Sequence, residues 1–190
     1  LHTTAESHNR VMVVEVMGRH VGHIATWAGI AGGATMTLVP EEPFDIDEVC
    51  AALLRRHQRG RYASIIVVAE GAKPVPETLN LPPDAYDDYG HVRLGGIANI
   101  VADAIEARTD METRVTILGH VQRGGSPTAF DRVLSSRFGI AAIDSAHDGA
   151  WEHMVALQSG SIVRVPLVDA VAELKPISGE LWDVAKAFFP

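Results

Sequence analysis

Val115-Thr116-Ile117-Leu118 runs into Gly119-His120-Val121-Gln122-Arg123-Gly124-Gly125-Ser126-Pro127, and an amphipathic run from Thr128 to about Asp144 leads out. An apolar run, a tight glycine-rich loop and an amphipathic run read as strand, loop and helix. Open α/β sheets bind ligands where such loops leave the carboxyl ends of strands. Gly124 and Gly125 allow close backbone approach or a positive φ. Ser126 suits an N-cap and Pro127 a first helical position, so the helix is expected to start there. Arg114, His120 and Arg123 are expected to bring three cationic or donor groups near one point, which suits a phosphate. An ordinary βα turn with solvated arginines is the alternative.

Working outward, the same alternation recurs. Val11 to Val16 is a nearly continuous β-branched run, the mark of a buried parallel strand. Met17-Gly18-Arg19 leaves it, and His23 to Ala31 forms a small-residue helix stopped by Gly32-Gly33. Met36 to Val39 is a second strand. Asp45 caps a helix from about Ile46 to His57, and Ser64 to Ala69 is a third strand that delivers Glu70-Gly71. Lys73 to Tyr89, rich in Pro and Asp, is expected as an exposed loop. A helix from about Leu94 to Ala107 leads to a strand over Arg114 to Leu118. The pattern predicts an α/β fold, three-layer α/β/α with a mostly parallel sheet. Further on, Met154–Leu157 and Ile162–Val165 make a hairpin turned by Ser159-Gly160, and Leu167–Leu174 and Glu180–Phe188 are short helical runs.

Composition narrows the function. The 190 residues are 47% hydrophobic and 21% charged, the balance of an ordinary globular protein. A net charge of −8 argues against nucleic acid as the main partner, because a phosphate backbone needs a basic face. No apolar run reaches membrane-spanning length. Cys50 is the single cysteine, so an internal disulfide and a cysteine metal cluster are both excluded. Its place in an apolar helical run makes it a buried structural thiol, and a reducing cytoplasm is the expected compartment. Leu1 to His8 has no initiator methionine and is read as the interior of a longer chain.

The polar residues that could carry chemistry cluster at strand exits. Met17, Gly18 and Arg19 follow the first strand, Glu70 follows the third, and His120 and Arg123 follow the fourth. Glu70 beside arginines would suit a sugar phosphate, the carboxylate accepting from hydroxyls while arginines hold the phosphate. Arg10 precedes its strand and so lies at the wrong end to join them within one subunit; it is free to serve a neighbour. Neither a G-x-x-x-x-G-K-[ST] loop nor an H-E-x-x-H motif is present.

Taken together, Thr4-x-x-Ser7-His8-x-Arg10, Val14 to Arg19, Glu70-Gly71 and Leu118 to Pro127 resemble the 6-phosphofructokinase family over nearly the whole chain. The resemblance implies phosphoryl transfer to the 1-hydroxyl of fructose 6-phosphate. It assigns the 6-phosphate to Arg114, His120 and Arg123, and sugar contacts to Met17 and Glu70, with Gly18 in the same loop. Arg19 would stabilise the transferring group, and Arg10 would enter a neighbouring subunit's site, which implies a homodimer or homotetramer. The family's nucleotide-phosphate glycine loops, magnesium-binding aspartate and catalytic-base aspartate have no match in residues 1–190. No metal ligand is therefore expected in this chain, although the enzyme would use Mg2+, and the chain is expected to be inactive alone. A non-catalytic sugar-phosphate-binding subunit or pseudoenzyme is the alternative.

The resemblance further implies a sugar-phosphate domain over 1–121, a donor-domain segment over 122–155 and a return over 156–190. Arg59 and Arg61 match part of an effector site, whereas Thr35 and His2 depart from it. Pro40-Glu41-Glu42-Pro43-Phe44 and the Tyr86–Gly90 loop look like the branch that includes pyrophosphate-using enzymes. The donor, ATP or pyrophosphate, is left open.

Overall fold

A computed structural model describes residues 1–82 and 94–190; the Tyr86–Gly90 loop lies outside the described residues. In chain order the elements are α1 (His2–His8), β1 (Val11–Val16), α2 (His23–Ala31), β2 (Met36–Leu38), α3 (Ile46–Gln58) and β3 (Ser64–Ala69). Then come α4 (Ile97–Thr109), β4 (Thr113–Ile117), a 3-10 turn (Gly119–Arg123), α5 (Ala129–His147), β5 (His153–Gln158), β6 (Ser161–Pro166), α6 (Leu167–Ala170) and α7 (Gly179–Lys186). They form two compact units, Leu1–Gln122 with Pro176–Pro190, and Arg123–Lys175.

The first unit is built on a parallel sheet of order β2-β3-β1-β4. Its strands alternate between two cores, as a pleat requires. Val11 and Val13 face α3 and α4, packing with Ile46, Leu53, Val101 and Ile105; Cys50 lies in this core, and burial pushes its thiol pKa up. Met12, Val14 and Val16 face the other way, packing with Ala5, Ala25 and Trp182. The three-layer expectation is met, with β1 buried along its whole length.

Glu15 breaks the apolar run of β1 yet is buried. Its carboxylate accepts from the N–H groups of Gly96 (3.0 and 2.9 Å) and Ala98 (3.0 Å), satisfying donors that the first turn of α4 leaves open. Glu41 accepts from the Gly22 N–H, at the start of α2, and from Ile177, while Glu42 accepts from the Trp182 indole. The two acidic residues of the Pro40–Phe44 stretch thus anchor the C-terminal segment.

In the second unit, α5 begins later than expected. Thr128 is its N-cap, and with Asp131 it forms a reciprocal capping box, the Asp131 carboxylate accepting from the Thr128 backbone at 2.8 Å. The Thr128 hydroxyl, donating to the same carboxylate at 2.8 Å, and then this backbone bond hold the Asp131 pKa below its usual value. Ser126 and Pro127 precede the helix instead of opening it. The hairpin forms as read, β5 against β6, with Ser159 (φ 48°) and Gly160 (φ 84°) in the left-handed conformation that tight hairpin turns require. The β5–β6 ladder lies within the second unit, which runs to Lys175, and the first unit resumes at Pro176.

Candidate functional site

Val16 and Ala69 end β1 and β3 side by side, so the loops that leave these strands meet. Glu70 turns its carboxylate onto the loop after β1: Oε1 accepts from the backbone N–H groups of Gly18 (3.1 Å) and Arg19 (2.9 Å). From the β4 side, Gln122 Oε1 accepts from the Met17 N–H at 2.9 Å. Three successive backbone donors are thereby held by side chains from the two flanking strand exits. The loop is also constrained sterically. A Cβ on Gly71 would overlap the Arg19 carbonyl oxygen, and one on Gly18 would come within 2.5 Å of the Val21 carbonyl oxygen.

This scaffold presents Arg19 in a left-handed backbone conformation (φ 51°), uncommon for a residue with a side chain. Such a conformation persists where surrounding contacts over-determine it, and here they do. Among the described residues, neither the Arg19 guanidinium nor the His120 imidazole takes a partner, and both are exposed. The carboxyl end of the sheet thus offers a fixed backbone loop with free cationic and imidazole groups beside it, an arrangement suited to an anionic ligand. Gln122 escaped the sequence reading as a functional residue because its partner, Met17, is far away in the chain.

Arg114 does not join this group. It sits opposite Met12 near the start of β4, about 13 Å along the strand from Leu118 at roughly 3.3 Å per residue. Its guanidinium bonds Glu112, donates to the Thr113 carbonyl at 2.9 Å and lies 3.9 Å from Glu106. Arg10 meets the same carboxylate, with Nη2 2.8 Å from Glu112 Oε1. The Arg10 hydrogen bond, with the charges of Arg10, Arg114 and His8, holds the Glu112 pKa below its usual value. Strand polarity, which separates Arg10 from Met17, separates Arg114 from His120 in the same way. Arg123 opens the second unit.

Residues 1–146 match the family profile described as Phosphofructokinase. The chain belongs to the phosphofructokinase family. Over 189 residues it is 55% identical to the ATP-dependent 6-phosphofructokinase of Mycobacterium leprae and 53% identical to the pyrophosphate–fructose 6-phosphate 1-phosphotransferase of Streptomyces coelicolor. Each match takes in 100% of this chain and 55% of the relative, so the chain spans about half the length of these proteins. A phosphofructokinase structure from Saccharomyces cerevisiae superposes with a TM-score of 0.71 at 35% identity, covering 98% of this chain and 23% of that one.

Two further features of this chain bear on ligands. Arg59 and Arg61, with Arg56, Phe188 and Pro190, line an open pocket of about 390 Å³. Burial first, then the charge of Arg61, lowers the Arg56 pKa. Nearby, Thr35 Oγ1 accepts from the Ile65 N–H at 3.2 Å and His2 Nε2 lies 2.5 Å from the Gly32 carbonyl oxygen, so both side chains are engaged with backbone. Among the described residues no group of three His, Cys, Asp or Glu side chains could hold a metal ion, and no helix is long and apolar enough to cross a membrane.

Proposed function

We propose that the protein containing this chain is a 6-phosphofructokinase. It would transfer a phosphoryl group from ATP or pyrophosphate to the 1-hydroxyl of fructose 6-phosphate, giving fructose 1,6-bisphosphate, a glycolytic reaction in the cytoplasm. The observation that carries this reading is the Met17–Arg19 loop, held by Glu70 and Gln122, with His120 exposed at the same end of the sheet. Phosphoryl transfer depends mainly on positioning and on stabilising spread negative charge. A pinned loop presenting an unpaired arginine supplies both.

In this reading Arg19 meets the charge that develops on the transferring group. Met17, Gly18 and Glu70 form the sugar side; Glu70 Oε2, outside the two bonds to the loop, accepts from a hydroxyl. His120 holds the 6-phosphate, and Arg123 is given the same ligand on the resemblance alone. Arg10 serves a neighbouring subunit of a homodimer or homotetramer, and Arg114, seated on the same carboxylate, goes with it. Arg59 and Arg61 belong to an anion-binding effector pocket. Magnesium, which the resemblance implies, finds no ligand group among the described residues, so no step is derived through it.

The test is the longest reading frame that contains this chain, assayed with fructose 6-phosphate, Mg2+ and each donor, beside the 190 residues alone. Turnover is expected from the former with one donor and not from the latter. Binding of the sugar phosphate without turnover by the longer protein would leave a non-catalytic subunit; no binding would remove the reading. Arg19→Ala should lower kcat more than it raises either KM.

A further inference from the structure

Glu112 has no role in the site described at the carboxyl end of the sheet, yet it joins two arginines from adjacent strands. Arg10 directly precedes β1, and Arg114 is the second residue of β4, the two strands being paired in parallel with Val11 opposite Thr113. Glu112 lies between them in space. Its backbone carbonyl accepts from the Val11 N–H at 3.0 Å, extending the ladder by one bond, and its side chain receives Nη2 of both guanidinium groups. We infer that Glu112 is a positioning residue that sets Arg10 and Arg114 as one clamp for a phosphate group. This rests on the proposed reading, in which Arg10 grips fructose 6-phosphate bound to a neighbouring subunit.

The bond pattern supports anchoring over competition. Glu112 occupies one Nη of each arginine, and the Thr113 carbonyl takes only the other Nη of Arg114. Each guanidinium carries five N–H donors, so most remain for an incoming oxyanion. Two guanidinium charges against one carboxylate leave the pair cationic. The buried Nε of Arg10 has no acceptor among the described residues, so the Nη2–Glu112 bond is its polar tie in this seat. Long side chains that must be ordered on binding weaken affinity, and a carboxylate that orders two of them beforehand removes that cost.

The test uses the longest reading frame containing this chain and compares wild type with Glu112→Gln, Glu112→Asp, Arg10→Ala and the Arg10→Ala/Glu112→Gln double variant. Glu112→Gln should raise KM for fructose 6-phosphate about ten-fold with kcat nearly unchanged, and Glu112→Asp should recover part of it. In the Arg10→Ala background the same change should have a clearly smaller effect, since the residues act through one another. Melting temperature separates positioning from folding: a variant that keeps its Tm within a few degrees and still loses affinity supports the inference. It is overturned if KM is unchanged or falls on Glu112→Gln, if the effect is equal in both backgrounds, or if kcat and Tm fall together. An unaltered KM in Arg10→Ala would instead strike down the reading of Arg10 itself.

Discussion

The two ends of one parallel sheet are built on opposite principles. At the carboxyl end, side-chain oxygens of Glu70 and Gln122 hold backbone N–H groups, and among the described residues the Arg19 guanidinium and the His120 imidazole stand free. At the amino end, the carboxylate of Glu112 holds the cationic side chains themselves. The first arrangement fixes where a loop is; the second fixes where two charges are. Bonds to backbone within a crowded loop are little affected by salt, whereas exposed ion pairs are screened by it. The carboxyl end should therefore fail through geometry and the amino end through electrostatics.

The largest effect should come from Gly71→Ala. Its Cβ would displace the Arg19 carbonyl, and a shift of about 1 Å in a catalytic group can cost roughly 100-fold in rate. Wild-type kcat/KM in this variant would break the comparison, because the loop would then not be sterically set. Next, Glu70→Ala should lower kcat/KM about ten- to hundred-fold, the scale of charge-assisted hydrogen bonds. Glu70→Gln, which keeps an acceptor for Gly18 and Arg19, should lose less; equal losses would mean that charge, not loop geometry, matters there.

Gln122→Ala should cost about five-fold, one neutral hydrogen bond to Met17, and Gln122→Glu should retain most activity. The smallest effect belongs to the amino end and to pH. The native Glu112 pKa lies below its unfolded value, so its tie stabilises the fold above the ordinary carboxylate range. That contribution is lost as pH falls through the depressed native value. The Tm difference between wild type and Glu112→Gln should be small at pH 7 and shrink as pH falls below the ordinary carboxylate range. A gap that widens in acid would contradict the assignment.

Much of the first unit is legible because β1, β2 and β3 are buried on both faces. β1, α2 and β3 fall at the residues read from the sequence, since continuous β-branched runs and a glycine stop leave little freedom. Asp45 caps α3 as its position before an apolar-periodic run suggests. The short α1 is polar, with Ala5 its one buried residue, and so gave no periodic signal. At α5, Ser126-Pro127 outweighed the true signature, Thr128 with Asp131 three residues on, which was present to be read. The 3-10 turn with His120 follows the end of the apolar run, as strand polarity requires, whereas grouping Arg114 with it by charge overlooks a position in the strand that already sets it apart. Gln122, Glu112 and Glu15 act on partners distant in sequence or across the sheet, and no local pattern announces such pairs.

The discontinuity of the first unit has a consequence for synthesis. A ribosome releases β1 to β4 and then the whole second unit before residues 176–190 exist. Until then Glu41 lacks the Ile177 N–H, Glu42 lacks the Trp182 indole, and the face of the sheet bearing Met12 and Val14 lacks the cover of Trp182 and Ala185. The nascent chain therefore carries an open apolar face until residues 176–190 have been made, and chaperone capture would matter most in that interval. Trp182 is 9% exposed in the finished fold, against 64% for Trp27 and 70% for Trp151. Its fluorescence should report that last closure, lagging the appearance of parallel-sheet signal when the denatured chain is returned to buffer.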